Sequence, residues 1–453
     1  MNGGLNVLVK ILCGEKGSKA MRRNIEHVGW GKLTYEIRAI VAVAQELNNM
    51  GVDITWENIG DPIHKGEKMP QWIKDTIIKL VSDDITYGYV ATQGVLETRE
   101  FLAERVNKRG SYQVTANDII FFNGLGDAVA KIFGFLRREA RVIGPSPAYS
   151  THSSAEAAHS GYEHLSYNLD PENEWMPDIE DLENKVKYND SIAGILYINP
   201  DNPTGAVYPR SVLEKIVDIA KRYQLFIVSD EIYANIVYNG CEMVHLSEVI
   251  RDVPGMALHG ISKEYPWPGS RCGWIEVFNQ HTNDDFHRYI KSLINAKMLE
   301  VCSTSLPQYS IPLIIGDPRY AEHLDKRKTT FEFRAQEAWE IFSKVAGIHV
   351  IKPKGAFYMS ILFEDNILNE NQTLPIENPM AKEFVEEKVK DVEVDKRFVY
   401  YLLGSKGICV VPLTGFCCTR KGFRVTLLET DDEKRKWTWE AIADSIRTYL
   451  SSA

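Results

Sequence analysis

No apolar run in this 453-residue chain is long enough to cross a bilayer, which excludes a membrane-spanning helix. The nearest candidate, Leu5 to Leu12, is short and interrupted by Lys10, and it lacks the basic-then-apolar order of a secretion signal. Residues 13 to 24 are polar and basic and read as a loose arm. Cysteine is sparse: the seven residues form an odd set without a Cys-x-x-Cys pair, and Cys417 and Cys418 are adjacent. A disulfide framework and a zinc ribbon are therefore excluded, no metal is expected, and reduced thiols in a cytoplasmic protein are the simple reading. Positive charge is not in excess. The 52 Lys and Arg against 62 Asp and Glu leave a net charge of −10, which argues against nucleic acid or an anionic membrane as the main partner. Internal repeats and low-complexity tracts are absent.

What is there is a globular composition, 44% hydrophobic and 25% charged, with enough chain for two or three domains and a core that needs no staple. Lys32 to Asn49 reads as a helix, with Ile37, Ile40, Val41, Ala44 and Leu47 at helical spacing. A short strand over Ile54 to Ile59 stops at Gly60-Asp61-Pro62, and helices follow over Pro70 to Val81 and Val95 to Lys108, joined by a loop over Tyr87 to Gly94. The pattern then alternates. Strands over Ile119 to Phe122, Arg141 to Ile143, Ala193 to Ile198, Leu225 to Ser229, Met256 to Gly260 and Trp274 to Phe278 are separated by amphipathic helices over Ala128 to Arg137 and Val212 to Tyr223, the latter capped by Ser211. Short apolar strands alternating with helices indicate an α/β domain with a largely parallel, covered sheet, whose ligands sit beyond the strand C-termini. After Asn283 the chain turns helical to about residue 345, interrupted near Pro307 and Pro312. Mixed elements follow, including strands over Ile408 to Pro412 and Phe423 to Leu428. The expected division is a large domain over 70–325 and a smaller α+β domain made of 1–69 and 326–453.

The distinctive loops all follow strands. Gly124-Leu125-Gly126 opens a helix, whose amides and dipole suit a phosphate, although a single Gly-x-Gly is more often an ordinary turn. Tyr149 follows Gly-Pro-Ser-Pro-Ala and could lie on a planar ring, with His152 three residues on; in isolation, Tyr149 reads as a packed core residue and His152 as a plain hydrogen-bonded or exposed one. The run Asn199-Pro200-Asp201-Asn202-Pro203-Thr204-Gly205 is more constrained than a bland turn needs, and it presents Asn202 rigidly. Asp230 ends a very apolar strand, where a carboxylate needs a cationic partner such as a protonated pyridine nitrogen; a salt bridge or helix cap reads equally well. Tyr233 would share its face if a helical turn begins there. In Gly260-Ile261-Ser262-Lys263, a lysine at a strand end can form a Schiff base, and Arg271, eight residues later, can hold a phosphate with its planar fork. Alone, a Ser-Lys pair is usually a solvated surface pair. Arg424 alternates with apolar neighbours and suits a carboxylate, against the alternative of an outward-facing strand position.

In this order, Asn-Pro-x-Asn-Pro-Thr-Gly, Ser-Asp-Glu-x-Tyr and Ser-Lys…Arg-x-Gly resemble the class I/II aminotransferases of the aspartate aminotransferase superfamily, fold type I, from about Gly60 to Leu428. Asn58-Ile59-Gly60-Asp61, Tyr89…Gln93-Gly94-Val95 and Gly407 to Pro412 with Gly415-Phe416 are similar to the alanine aminotransferase branch. The resemblance implies a mostly parallel seven-stranded sheet and pyridoxal 5'-phosphate bound through a Schiff base to Lys263. It implies that Asp230, backed by His152, pairs with the pyridine nitrogen. Asn202 and Tyr233 would bond the ring oxygen, and Tyr149 would stack on the ring. The amides of Leu125 and Gly126 after Gly124, with Ser262 and Arg271, would hold the phosphate. Tyr89 would reach the phosphate of a neighbouring subunit, which implies a homodimer. Arg424 would bind the substrate α-carboxylate with Gly60 close by. Three departures stand out: relatives often carry a hydroxyl where Gly260 lies, Leu125 is bulky where a small residue is usual, and no Arg stands out as a partner for a substrate side-chain carboxylate, which weakens a strictly dicarboxylate-specific reading. The implied reaction is ping-pong transfer of an amino group between an L-amino acid, alanine for preference, and a 2-oxo acid such as 2-oxoglutarate. An aspartate or aromatic aminotransferase, a carbon–sulfur β-lyase or an aminocyclopropane-carboxylate-synthase-like lyase shares the same cofactor residues. A regulatory protein that binds the cofactor is the alternative from another class.

Overall fold

The computed structural model describes residues 23, 25–27, 29–33, 36–110 and 112–452; the readings of Leu5 to Leu12 and of most of residues 13 to 24, and the side chain of Ile37, lie outside these. The central sheet is built from β1 (Ile119–Phe122), β2 (Arg141–Ser146), β3 (Ser166–Asp170), β4 (Met176–Pro177), β5 (Ile192–Ile198), β6 (Phe226–Asp230), β7 (Gly255–Gly260) and β8 (Gly273–Phe278). Among the described residues these eight strands lie in the order β1-β8-β7-β6-β5-β2-β3-β4. From β3 through β2, β5 and β6 to β7 every pairing is parallel; β8 runs antiparallel between β7 and β1, and β4 closes the far edge antiparallel to β3. The seven strands expected are thus joined by an eighth, a two-residue edge pairing of Leu169 and Asp170 with Pro177 and Met176.

The strands read as unbroken apolar runs because both faces are covered. On one face Ile195, Tyr197 and Ile227 join a cluster with Leu102 and Val106 of the helix Leu96–Arg109 and with Leu213, Ile216 and Val217 of the helix Arg210–Arg222. On the other, Leu196, Phe226 and Val228 pack with Ala128, Val129 and Ile132 of the helix Leu125–Gly134 and with Phe286 and Ile290 of the helix Asp284–Met298. The alternation Ile195-Leu196-Tyr197 therefore feeds two separate cores, at about 25 cal/mol per Å² of apolar surface removed from water.

Several local readings need correction. Helix Arg210–Arg222 begins after Pro209, which can supply no side-chain cap, so Ser211 lies inside the helix and does not cap it. The helix expected from Ala128 begins at Leu125, which leaves Gly124 as the residue before it. Gly144, Pro145 and Ser146 belong to β2, held in the sheet by β3, a strand the sequence reading missed. Pro312 lies within the helix Ser305–Ile315 and does not interrupt it. The strand expected over Ile54 to Ile59 is only Thr55–Trp56, which has one neighbour, Ile408–Cys409. The run Ile408 to Pro412 divides at Val410, because its two halves pair with different partners, Thr55–Trp56 and Gly422–Thr426.

A further sheet among the described residues has four strands, Ile348–Val350, Tyr358–Phe363, Gly422–Thr426 and Val411–Pro412, in that order and antiparallel. Its core gathers Ile40, Ala44 and Leu47 of the helix Glu36–Asn49 with Trp439, Ile442 and Ile446 of the helix Asp432–Leu450. The helix Arg319–Phe342 runs without a break through residue 325. Among the described residues, no helix is long and apolar enough to cross a membrane.

Candidate active site

Because β1, β2, β5, β6 and β7 point the same way, their C-termini deliver Gly124, Tyr149, Asn202, Asp230 and Lys263 to one edge of the sheet. A cavity of about 680 Å³ opens there. It is lined by Leu125, Gly126, Tyr149, His152, Asn202, Asp230, Tyr233, Ser262, Lys263, Arg271, Arg424 and Gly60, residues that lie far apart in sequence.

At one end, Gly124 has φ +82, a left-handed conformation that favours glycine, and a Cβ there would lie 2.5 Å from a terminal guanidinium nitrogen of Arg271. The missing side chain lets the Arg271 guanidinium lie against the start of the helix Leu125–Gly134, where backbone amides have no partner within the helix. Arg271 itself has φ 49 and donates to the carbonyl of Pro268 at 3.1 Å. The bulk of Leu125 is accommodated by Gly273, whose absent Cβ would meet Leu125 Cδ2 at 2.9 Å. Gly260 also has a packing reason: a Cβ there would crowd the Cys272 carbonyl at 3.0 Å and Ile232 at 3.1 Å.

In the floor, Asp230 is buried at the end of β6. One carboxylate oxygen accepts from the Ile232 amide at 3.1 Å, and the other lies 2.8 Å from His152 Nε2. Tyr149 meets the His152 ring edge-on at 6.3 Å. The Asn199 to Gly205 loop is tied by its own polar groups. Thr204 donates through its amide (3.1 Å) and hydroxyl to Asp201, Ala206 donates to the Thr204 hydroxyl at 3.2 Å, and Tyr208 donates to the Asn199 side chain at 2.9 Å. Burial raises the Asp201 carboxyl to about 7 against these bonds. Tyr233 lies in turns after β6, not in a helix, and its hydroxyl is 3.1 Å from that of Tyr358. Burial, with Tyr358 beside it, pushes the Tyr233 phenol well above its ordinary value.

Lys263 Nζ donates to the Gly60 carbonyl at 2.7 Å. Burial lowers its pKa to about 8; Asp61 and Asp230 oppose the shift, and Arg424 and Arg271 add to it. Arg424, 1% exposed, donates to the Asn58 carbonyl at 2.6 Å and to Asn202 Oδ1 at 3.1 Å. Its guanidinium stacks between Tyr358 (4.3 Å) and Phe416 (5.0 Å). Gly60 fits under Tyr358, whose hydroxyl would be 2.0 Å from any Cβ at that position.

Tyr89 is the exception. It is 85% exposed and does not line the cavity of its own chain. The sequence reading assigned no role to Tyr358, Phe416 or Arg38. Arg38 lines the cavity together with Val41, one helical turn on, at the flank of the apolar stripe formed by Ile40, Ala44 and Leu47. A charge beside an apolar stripe was the available signal for it.

A lysine held near neutral pH, a carboxylate fixed by histidine and a buried arginine, all at the C-terminal edge of a parallel sheet, define an amino-group-transferring enzyme of the type I fold. The family model described as aminotransferase class I and II matches residues 53–442, and the chain belongs to that family of pyridoxal-phosphate-dependent transaminases. An uncharacterized aminotransferase of Methanocaldococcus jannaschii is 57% identical over 432 residues, which cover 95% of this chain and 100% of that one. A glutamate–pyruvate aminotransferase of Escherichia coli is 30% identical over 331 residues, covering 72% of this chain and 79% of its own. The fold is shared with an alanine aminotransferase of Pyrococcus furiosus, at a TM-score of 0.80 and 24% identity, over 96% of this chain and 100% of that one.

Proposed function

We propose that the protein moves an amino group between alanine, or another small neutral L-amino acid, and 2-oxoglutarate in a ping-pong cycle. The observation that carries this reading is the joint position of Lys263, Asp230 and Arg424 on one cavity. Arg38 on the same cavity supports a keto acid with a second carboxylate. The names of the E. coli and P. furiosus relatives support the alanine–glutamate pairing.

The cavity fits pyridoxal phosphate. The space left by the absent Cβ of Gly124, beside Arg271 and the Leu125 and Gly126 amides, suits its phosphate; Ser262 adds a hydroxyl. Asp230 suits its ring nitrogen, Asn202 and Tyr233 its ring oxygen, and Tyr149 its face. Bound there, pyridoxal phosphate supplies an electron sink that stabilises negative charge at the substrate Cα. Arg424, held by the Asn58 carbonyl and the Asn202 side-chain oxygen, binds the α-carboxylate through its planar fork. Lys263 Nζ, about half neutral at pH 8, would take the substrate Cα proton and later give one back. Asp230, oriented by His152, would hold a proton at the ring nitrogen of the bound group. A homodimer in which Tyr89 completes the neighbouring phosphate site accounts for an exposed tyrosine at that position. We divide the molecule at residue 325 into a 70–325 part that carries the cofactor and a 1–69 plus 326–453 part that carries Arg38 and Arg424. The described cysteines Cys241, Cys272, Cys302, Cys409, Cys417 and Cys418 are free, which supports a reducing, cytoplasmic setting.

Single-turnover product analysis tests the proposal. The loaded protein, given alanine alone, releases about one pyruvate per site and stops; 2-oxoglutarate then yields an equal amount of glutamate. Continuous release of ammonia and pyruvate from a sulfur amino acid would instead assign the lyase reaction.

A further inference from the structure

Glu231 directly follows Asp230 in sequence but lines a different, smaller cavity of about 60 Å³. That cavity is also lined by His245, from the loop before Leu246–Val249, and by His259 of β7. Glu276 of β8 stands next to them, 3.3 Å from His259 Nε2 through Oε2. Glu231 is fixed through Oε1, which accepts from the Leu246 amide at 2.7 Å and the Ser229 hydroxyl at 3.0 Å. Its Oε2 is thereby turned towards His245 Nδ1 at 2.5 Å and His259 Nε2 at 3.5 Å. The ligating atoms of Glu231, His245 and His259 all lie within 4.8 Å of one another.

A second observation concerns His259 itself. Its residue is only 6% exposed and its ring is stacked on Trp274 at 5.7 Å, so it cannot turn to solvent. Yet Nε2 makes no hydrogen bond, although two carboxylate oxygens lie near it. His259 Nε2 stands 3.3 and 3.5 Å from two carboxylate oxygens, while His245 Nδ1 and Glu231 Oε2 share a short hydrogen bond whose proton a bound metal ion would displace. Tetrahedral zinc with bonds of about 2.0–2.1 Å places its ligand atoms roughly 3.3 Å apart. Glu276 is itself held by Trp274 Nε1 at 3.4 Å on Oε1 and by Arg109 at 3.4 Å on Oε2, the oxygen that faces His259.

We propose that Glu231, His245 and His259 bind a divalent first-row metal ion, zinc by ligand type, which ties the residue after β6 and the end of β7 to the loop before Leu246, beside Asp230. Two imidazoles with a carboxylate suit zinc better than calcium or magnesium, which prefer all-oxygen shells. The site is distinct from the reaction cavity, so the ion acts on the frame that holds Asp230 and touches no substrate. The competing arrangement is a proton on His259 shared with the carboxylates of Glu231 and Glu276.

The full-length protein, carrying its cofactor, is freed of metal with a chelator and titrated with zinc alone by calorimetry, with thermal melting followed in parallel. Uptake of one zinc per chain, a higher melting temperature with zinc, and binding at least about tenfold weaker in His245→Gln are the expected results. His245 keeps a side-chain exposure of 19%, so this substitution leaves the buried framework in place. Cobalt substitution of the unaltered protein gives a second readout, the intense visible bands of a tetrahedral nitrogen–oxygen site. No stoichiometric uptake, uptake unchanged in His245→Gln, or only the weak spectrum of octahedral cobalt would each overturn the proposal and leave a proton-bridged network.

Discussion

Lys263 offers the sharpest quantitative test. With its pKa lowered from 10.5 to about 8, it should react with aldehydes far below the range of an ordinary lysine. At pH 7 about one-tenth of a pKa 8 amine is neutral, against roughly 1 in 3,000 at 10.5, a ratio of about 300. The sign follows from the charge: the protonated amine is inert, so raising pH switches the nucleophile on. Below pH 8 the rate of covalent capture should rise about tenfold per pH unit, and above it the rate should level off. The assay adds pyridoxal phosphate to cofactor-free protein across a pH series, traps the product with borohydride and counts modification at Lys263 by peptide mapping. Asp61 raises the Lys263 pKa, so Asp61→Asn should move the bend to lower pH. A rate that keeps climbing to pH 10 without a bend, or a bend that Asp61→Asn moves upward, would refute the electrostatic account of this lysine.

Three other outcomes follow from the same geometry. Gly124→Ala adds a methyl 2.5 Å from Arg271 at φ +82; stability should fall by about 1–2 kcal/mol in thermal unfolding, and pyridoxal phosphate should bind about 10–100-fold more weakly by absorbance titration. Arg424→Lys removes a planar fork stacked between Tyr358 and Phe416, and kcat/KM for alanine should drop about 100-fold, ~2.7 kcal/mol, in steady-state assays. Arg38→Gln should raise the KM for 2-oxoglutarate about tenfold while leaving that for pyruvate unchanged, since only the former has a second carboxylate.

The strand ends were legible in the sequence because chemistry there is written in short, contiguous runs. The Asn199 to Gly205 loop, Asp230 after an apolar strand and Ser262-Lys263 each announce themselves locally, since proline, glycine and charge interrupt otherwise regular patterns. The covered sheet was legible for the same reason: strands buried on both faces read as unbroken apolar runs. What needs two distant partners was not. Whether Ile408 to Pro412 is one strand or two depends on which neighbours its halves meet, and β3 and the edge strand β4 are fixed by pairing. The packing reason for a glycine at position 124 becomes visible only when Arg271 occupies the space its side chain would fill. Arg38 and Tyr358 sit in stretches without a motif and become site residues only because the helix Glu36–Asn49 and the strand Tyr358–Phe363 fold against the cavity. The low pKa of Lys263 belongs to the tertiary structure alone: burial and the fields of Asp61, Arg424, Arg271 and Asp230 come from places far apart in the chain. The sequence by itself determined which side chains could do the chemistry and which strands would carry them. Only the tertiary structure decided their distances, their burial and their charge environment, because those are set by packing between segments that the linear order keeps apart.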